Sequence, residues 1–437
     1  MRAIYTLVFI LCCAMFSQAQ SLYFPPLQTE QWDTIAPLDA GWCNDDFTDL
    51  FQFLDTTNTR AFIVLQNGKI VIEKYFHNFH GDSVWYWASA GKSLTAFLVG
   101  LAQEQGHLNI SDPVHQYLGN GWTSCSTADE DEITVRHQLT MTTGFADTVP
   151  NLDCFSDTCL YCDHIPGQRW SYHNAPYTLL RPVLENATGR GINLYMFQEL
   201  TQQTGITGGY FWLGDISLFI SRPRSMARFG LLMQSEGMWN NQSVLSDTTY
   251  FREMITPSQA MNEAYGYLWW LNGTSSFMVP YLQTPIPGMM MPDASTDVYA
   301  AMGLNGQLLN IVPSKGLVVV RMGDAPTNQG QSVPWAYNNE IWKYLNDLIC
   351  NLSADHHQTV KFSLYPNPAN DHLNIHGIDN AAKFWYTVSD VSGKIVLDGQ
   401  IHGAFIDVAR LQAGNYILML KSNDGATVFR KRFTKVQ

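Results

Sequence analysis

Beyond its first twenty residues the chain has no long apolar run, no solenoid-type repeat and no low-complexity tract. A membrane-spanning helix needs about 20 consecutive apolar residues, so the body of the chain is not read as a span. Positive charge is scarce too. The 25 Lys and Arg stand against 38 Asp and Glu, a formal net charge of −13. Nucleic-acid binding needs a concentrated basic surface, and nothing ahead of the C-terminal region supplies one. Disorder is excluded by what is abundant. Hydrophobic residues make up 46% of the chain, with 13 Trp and 23 Phe to furnish a large core. At 437 residues, two folded units are the natural expectation.

The N-terminus reads as a signal peptide over residues 1–19, implying export across the inner membrane. Arg2 supplies the positive region, Ala3 to Phe16 the apolar stretch, and Ser17-Gln18-Ala19 the small residues of a cleavage site. Cys12 and Cys13 lie in that stretch, but neither follows the small residue of a lipoprotein signal. Six cysteines remain: Cys43, Cys125, Cys154, Cys159, Cys162 and Cys350. An even number in an exported chain favours disulfides, with 15 possible pairings. Cys43 and Cys350 bracket the larger unit and could tie its ends together. Cys154, Cys159 and Cys162 with His164 could instead hold zinc, although no matching Cys-x-x-Cys exists elsewhere.

Hydropathy patterning divides the rest. An amphipathic stretch, Phe47 to Leu54, precedes two β-rich segments that flank Asn67-Gly68, a strong hairpin signal. From Ser89 to Gln105 the period becomes helical, with Leu94, Phe97, Leu98, Leu101 and Ala102 on one apolar face and Gly106 placed to end it. Residues 112–272 read as mostly helix and loop, with Ser225 to Ser235 helical and Tyr265 to Trp270 a buried aromatic strand or turn. Gln307 to Val312 and Leu317 to Arg321 form a second hairpin around Pro313-Ser314-Lys315-Gly316, and a helix from Pro334 to Ile349 follows. An antiparallel sheet with flanking helices buries both hairpins economically. After a polar linker (353–361), residues 362–437 show short alternating strands and repeated turn signals, the pattern of a small all-β sandwich.

Ser89-Ala90-Gly91-Lys92 is the only Ser-x-x-Lys in the chain. On a helix, that spacing puts hydroxyl and amine on one face, a turn apart. A serine hydroxyl needs a neighbour to take its proton, and a lysine can do so if burial lowers its pKa. At a helix N-terminus, free N–H groups also favour developing negative charge. Downstream come Tyr172-His173-Asn174, a Tyr-x-Asn, and Gly303-Leu304-Asn305-Gly306-Gln307 leading into the second hairpin.

This order of motifs resembles the serine β-lactamase and penicillin-binding protein superfamily, and within it the class C and esterase-like branch. Ile133 to Gly144, Gly106-His107-Leu108, Asp112-Pro113-Val114 and Ser225 to Gly230 are similar to segments of that branch. The resemblance spans roughly residues 45 to 350. It implies an α+β fold of the β-lactamase/transpeptidase type, with a helical subdomain, over residues 20–352. It also implies an acyl-enzyme on Ser89, proton transfers shared by Lys92 and Tyr172, and a site lined by Asn174, Gly303, Leu304 and Asn305. The oxyanion hole would use the N–H groups of Ser89 and, on the edge strand, Leu304. No cofactor or metal is implied.

One departure bears on substrate. The superfamily's third motif is usually Lys-Thr-Gly or His-x-Gly, and here the matching triplet is Ala301-Met302-Gly303. A cation at its first place helps to hold a substrate carboxylate, and Ala301 cannot. The run Ala301 to Gln307 looks like that of nylon-oligomer hydrolases, so a small-molecule or short-peptide ester or amide leads. A β-lactamase or D-amino-acid peptidase is the alternative within the enzyme class, and a non-catalytic binding module of the same fold is the alternative outside it.

Other motifs carry less. Gly81-Asp82-Ser83 and Asp112-Pro113-Val114-His115 match pieces of GDS-type lipases, but there the two lie at opposite ends of the domain, and here they are neighbours. His77 and His80 read as surface histidines, and Met289-Met290-Met291 as core or pocket wall. The C-terminal unit, opening on Phe362 to Ala369 and ending on Arg430-Lys431-Arg432, resembles the type A sorting domain of the Bacteroidetes type IX secretion system. That resemblance implies secretion or surface display through the type IX machinery. A carbohydrate- or surface-binding β-module is the alternative.

Overall fold

The computed structural model describes residues 22–349, apart from Gln28 and 327–332, and residues 363–436 with gaps at 377–383, 391–393, 402, 404 and 423–426. The expected signal peptide, the linker and Cys350 lie outside the described residues. The chain divides into two compact units at Cys350 and Asn351.

The larger unit is built on two hairpins that pair with each other. The first joins β1 (Thr59–Gln66) to β2 (Lys69–Tyr75) through Asn67 and Gly68, at φ 49° and 84°. This is the left-handed backbone that Asn-Gly tolerates best. A side chain at Gly68 would also meet the carbonyl oxygen of Tyr23 at 1.9 Å. Short strand β3 (Trp270–Leu271) and β4 (Tyr299–Gly303) precede the second hairpin, β5 (Gln307–Val312) and β6 (Leu317–Gly323). The sheet runs β2-β1-β6-β5-β4-β3, antiparallel throughout, with Ile63 opposite Val320 where the hairpins join.

Every residue of β5 and β6 is buried, because helices cover both faces. On one face lie α1 (Thr48–Thr56) and, beyond the sheet, the C-terminal helix Trp335–Leu348, with Phe53 stacked on Tyr344 at 4.6 Å. On the other lie α2 (Gly91–Glu104) and α3 (Pro223–Gln234). Helix α2 departs from the expected single apolar face: Gly91 through Ala102 are all buried. Its small polar residues are used inward, Thr95 bonding Tyr210 and Ser93 bonding the carbonyl of Leu268. A helix buried all round is the core element of its domain.

The middle holds one feature absent from the sequence reading. Gly209–Leu213 and Ile216–Ser221 form a hairpin that pairs with Trp85–Tyr86, just before the Ser89 turn. The cysteines form disulfides at Cys125–Cys162 and Cys154–Cys159, and Cys43 is also disulfide-bonded, so the zinc alternative is overturned. The residues of the weaker motifs are engaged locally. His80 bonds Ser83, His77 and His115 face Asp55 and Asp131, and Met290 and Met291 are core. No helix among the described residues is long and apolar enough to cross a membrane.

The C-terminal unit packs a three-stranded sheet (Ser363–Tyr365, His372–His376, Phe405–Asp407) over a four-stranded one (Ile395–Gln400, Phe384–Asp390, Gly414–Ser422, Thr427–Lys435). Leu373, Ile406, Val388, Leu418 and Phe433 form the core between them.

Gly230 lies in α3 where the helix presses on the sheet, and a methyl there would stand 2.4 Å from Val318 Cγ1 and 2.7 Å from Leu309 Cδ1. Helix propensity alone would make Gly230→Ala stabilising by about 1 kcal/mol. Overpacking costs about 1–3 kcal/mol, so we expect net destabilisation and a lower urea midpoint. A raised midpoint would contradict this packing.

Candidate active site

Ser89 sits in the 3-10 turn Ala88–Ala90 that feeds α2. Ala88, the residue before it, is held at φ 46°, a strained conformation for a residue with a side chain. The turn is pinned from two sides. Trp87 is fully buried and donates its indole N–H to Ser221 Oγ at 2.7 Å. The end of β4 presses against it from the other side. A methyl on Gly303 would stand 2.4 Å from Trp87 O, 2.9 Å from Ala90 N and 3.0 Å from Ser89 N. Only a glycine lets the strand lie this close to the Ser89 N–H.

Lys92 follows one turn later, 3% exposed, with Nζ 3.3 Å from Ser89 Oγ. It also donates to Asn174 Oδ1 at 2.9 Å and stands 4.0 Å above the Tyr177 ring and 5.3 Å from that of Tyr172. Burial drives its pKa down to about 7, while the carboxylate of Asp153 pulls the other way. Near neutral pH, a large fraction of Lys92 is therefore free amine, a proton acceptor beside a hydroxyl.

Tyr172 is placed by its neighbours. Its ring stacks on Trp270 at 5.6 Å and meets Tyr265 edge-on at 6.3 Å. The adjacent Ser171 donates its N–H to Met141 O and its hydroxyl to Asp147, which Arg169 also grips at 2.8 Å. Burial raises the phenol's pKa, partly countered by a hydrogen bond with Ser89. Tyr172 thus stays a protonated donor where Lys92 can be a free base.

The seven residues read as a site fall into two groups. Ser89, Lys92, Tyr172 and Asn174 are joined by direct contacts. Gly303 touches the Ser89 turn, and Leu304 stands just past β4 in a 3-10 turn, 51% exposed, rather than on the strand itself. Asn305, at φ 64°, is a strut: its amide donates to Tyr86 OH at 2.8 Å.

Two polar residues were missed. Asp153 accepts from Asn174 Nδ2 at 2.7 Å, and its place beside Cys154 in a cysteine-framed loop was the available signal. Arg321 is fully buried in β6 and donates to Thr59 Oγ1 and to the carbonyls of Asn305, Gly306, Thr57 and Asp324. It holds the turn after Gly303 in place, with no carboxylate among the described residues in hydrogen-bonding contact. No sequence signal separates it from an ordinary strand-end arginine.

Residues 48–338 match the β-lactamase family, and the chain belongs to it, within the β-lactamase-fold serine hydrolase superfamily. Residues 363–435 match the secretion system C-terminal sorting domain. An uncharacterised protein of Alkalihalophilus pseudofirmus is 24% identical over 309 residues, which cover 62% of this chain and 84% of that protein. Among solved structures, a protein assigned as a 6-aminohexanoate-dimer hydrolase from Bacillus anthracis aligns with TM-score 0.55 at 17% identity, over 74% of this chain and 89% of its own. One assigned as a β-lactamase from Bacteroides dorei aligns with TM-score 0.52 at 18% identity, over 69% of this chain and all of its own (100%). At these identities the two structures bear on the fold alone.

His173, between Tyr172 and Asn174, is buried, and neither ring nitrogen has a hydrogen-bond partner among the described residues. Burial lowers its pKa to about 4, although Asp147 and Asp153 pull upward. The unfolded chain takes up that proton near pH 6.5, so His173 withholds stability progressively as pH falls from there toward 4. The full shift is worth about 3 kcal/mol. We expect the urea midpoint to drop between about pH 7 and pH 5, and His173→Leu to flatten that drop. An unchanged slope would show that the imidazole is not what resists protonation.

Proposed function

We propose that this chain is a secreted serine hydrolase that cleaves an ester or amide bond through an acyl-enzyme on Ser89. The observation that carries this reading is the buried Lys92 amine, 3.3 Å from Ser89 Oγ, with its pKa brought down to about 7. Ser89 Oγ attacks the substrate carbonyl carbon and its proton passes to Lys92 Nζ. The carbonyl oxygen becomes an oxyanion held by the N–H groups of Ser89 and Leu304. As the intermediate collapses, the bond to the leaving alcohol or amine breaks. The leaving group takes a proton from Tyr172, which Lys92 resupplies. Water then attacks the ester on Ser89 by the same route in reverse and releases the acid. Asn174 orients the amine throughout.

The substrate reading rests on Ala301. Strand alternation puts it on the same face of β4 as Gly303, where the family commonly carries a cation. Nearby guanidinium groups are committed elsewhere, Arg169 to Asp147 and Arg321 to the acceptors around the Asn305 turn. An ester or simple amide without a carboxylate at that position suits the site better than a penicillin or a peptide ending in D-alanine. For the C-terminal unit we propose export through the type IX machinery, after an N-terminal signal peptide has carried the chain across the inner membrane.

Purified protein treated with a fluorophosphonate probe should be labelled, and Ser89→Ala should abolish labelling. Lys92→Ala should reduce it by about 100-fold or more while the protein stays folded, since a general base contributes 10²–10⁴-fold. A penicillin probe should label weakly or not at all. Native protein that reacts with neither probe would leave a non-catalytic module of this fold.

A further inference from the structure

Asn174 has two faces, and its neighbours permit only one orientation. Its carbonyl oxygen Oδ1 accepts from Lys92 Nζ at 2.9 Å, and its amide Nδ2 donates to Asp153 Oδ1 at 2.7 Å. A carboxylate only accepts, and the amine can only donate to Asn174: as an ammonium it has no lone pair, and as a free amine its one lone pair is kept for the Ser89 hydroxyl proton. Flipping the amide would set Nδ2 against Nζ, donor against donor, and Oδ1 against Oδ1, acceptor against acceptor. The Asp153 bond is charge-assisted, among the stronger hydrogen bonds available.

Asp153 is itself anchored. Its N–H donates to Asn151 Oδ1 at 3.0 Å, and the carbonyl of Leu152 accepts the N–H of Ala175, next to Asn174, at 3.0 Å. Cys154, the following residue, is bonded to Cys159, and the loop is tied again by Cys125–Cys162. Ser124 adds two more links, its N–H to Leu160 O and its hydroxyl to Asp157 O, both at 2.8 Å. A disulfide-framed loop thus delivers one carboxylate behind the Asn174 amide.

Resting on the hydrolase reading above, we propose that Asp153 is a positioning residue for proton transfer between Ser89 and Lys92. It fixes Asn174 so that the amide oxygen, and not the amide nitrogen, faces the amine. Without it, Asn174 can rotate, and Nζ loses the acceptor that aims it at Ser89 Oγ. The carboxylate has a second effect, through charge. The titratable groups that face Lys92 are Tyr172 and Tyr177, through their rings, and Asp153, which favours its protonated form. Removing that negative charge should let the amine lose its proton at lower pH.

The test is the second-order rate of fluorophosphonate labelling of the full chain, followed from about pH 5 to about pH 9, for the wild type, Asp153→Asn and Asp153→Ala. In Asp153→Ala the rate should fall about 100-fold, the scale of a misplaced reacting group, and the acid limb should move to lower pH. Asp153→Asn keeps an acceptor for Nδ2, so its rate should fall less than about 10-fold while the limb moves the same way. Circular dichroism gives the folded fraction of each variant. A wild-type rate and limb in Asp153→Ala would overturn the proposal. So would variants that keep the wild-type limb and lose rate only in proportion to the unfolded fraction, because Asp153 would then be purely structural. A wild type that fails to react overturns the hydrolase reading itself, a distinct outcome from a reactive wild type matched by its Asp153 variants.

Discussion

A lysine amine taken out of water, with no carboxylate among the described residues in direct hydrogen-bonding contact, is the constraint on which the site depends. The chain brings Lys92 into the interior on a helix buried through Ala102 and surrounds Nζ with a hydroxyl, an amide oxygen and two phenol rings. Neutral acceptors and ring faces satisfy the amine without matching the solvation that a full ammonium would have in water. The nearest negative charge is kept one residue away, on Asp153 behind Asn174. A directly paired carboxylate would hold the proton on the lysine, and a site with no negative charge would push the amine's pKa lower still. The intermediate arrangement brings that pKa to about 7.

The rest of the domain serves to hold that helix start against the sheet. Gly303 lets β4 approach the Ser89 turn, and Arg321 fixes the turn that follows β4 by donating to its carbonyl groups. Trp87 is locked to Ser221 on the hairpin that pairs with Trp85–Tyr86. Stacking on Trp270 orients Tyr172, and the Arg169–Asp147–Ser171 group secures the segment that carries it. These groups lie far apart in the chain and brace the Ser89 turn or the segments that meet it. Each is held by packing or by hydrogen bonds before substrate arrives, so little reorganisation is needed when it does.

Much of this was legible in the residues. Asn67-Gly68 announced a hairpin because its turn needs left-handed backbone, which those two residues adopt readily. Ser89 and Lys92 were legible through helical spacing, and Tyr172 and Asn174 through their motif. What sequence left hidden depends on contacts between distant segments. The all-round burial of α2 was masked by Ser93 and Thr95, whose hydroxyls find partners only in the folded chain. Asp153 sits in an irregular loop with no periodicity, and its role exists only because Asn174 lies opposite. The hairpin Gly209–Ser221 was within reach, since aromatic and apolar runs flank Gly214-Asp215. Arg321 was not, because nothing in a strand's pattern distinguishes an arginine that points into a nest of carbonyls.

The central claim is that burial brings the Lys92 pKa close to 7, so that a large fraction is free amine at neutral pH. NMR titration of isotopically labelled lysine side chains, with the Lys92 resonance assigned by its absence from Lys92→Ala, tests it most directly. The account predicts one lysine titrating with a midpoint near 7, well below the ordinary lysine value of 10.5. A Lys92 resonance that titrates with the exposed lysines near 10.5 would contradict it.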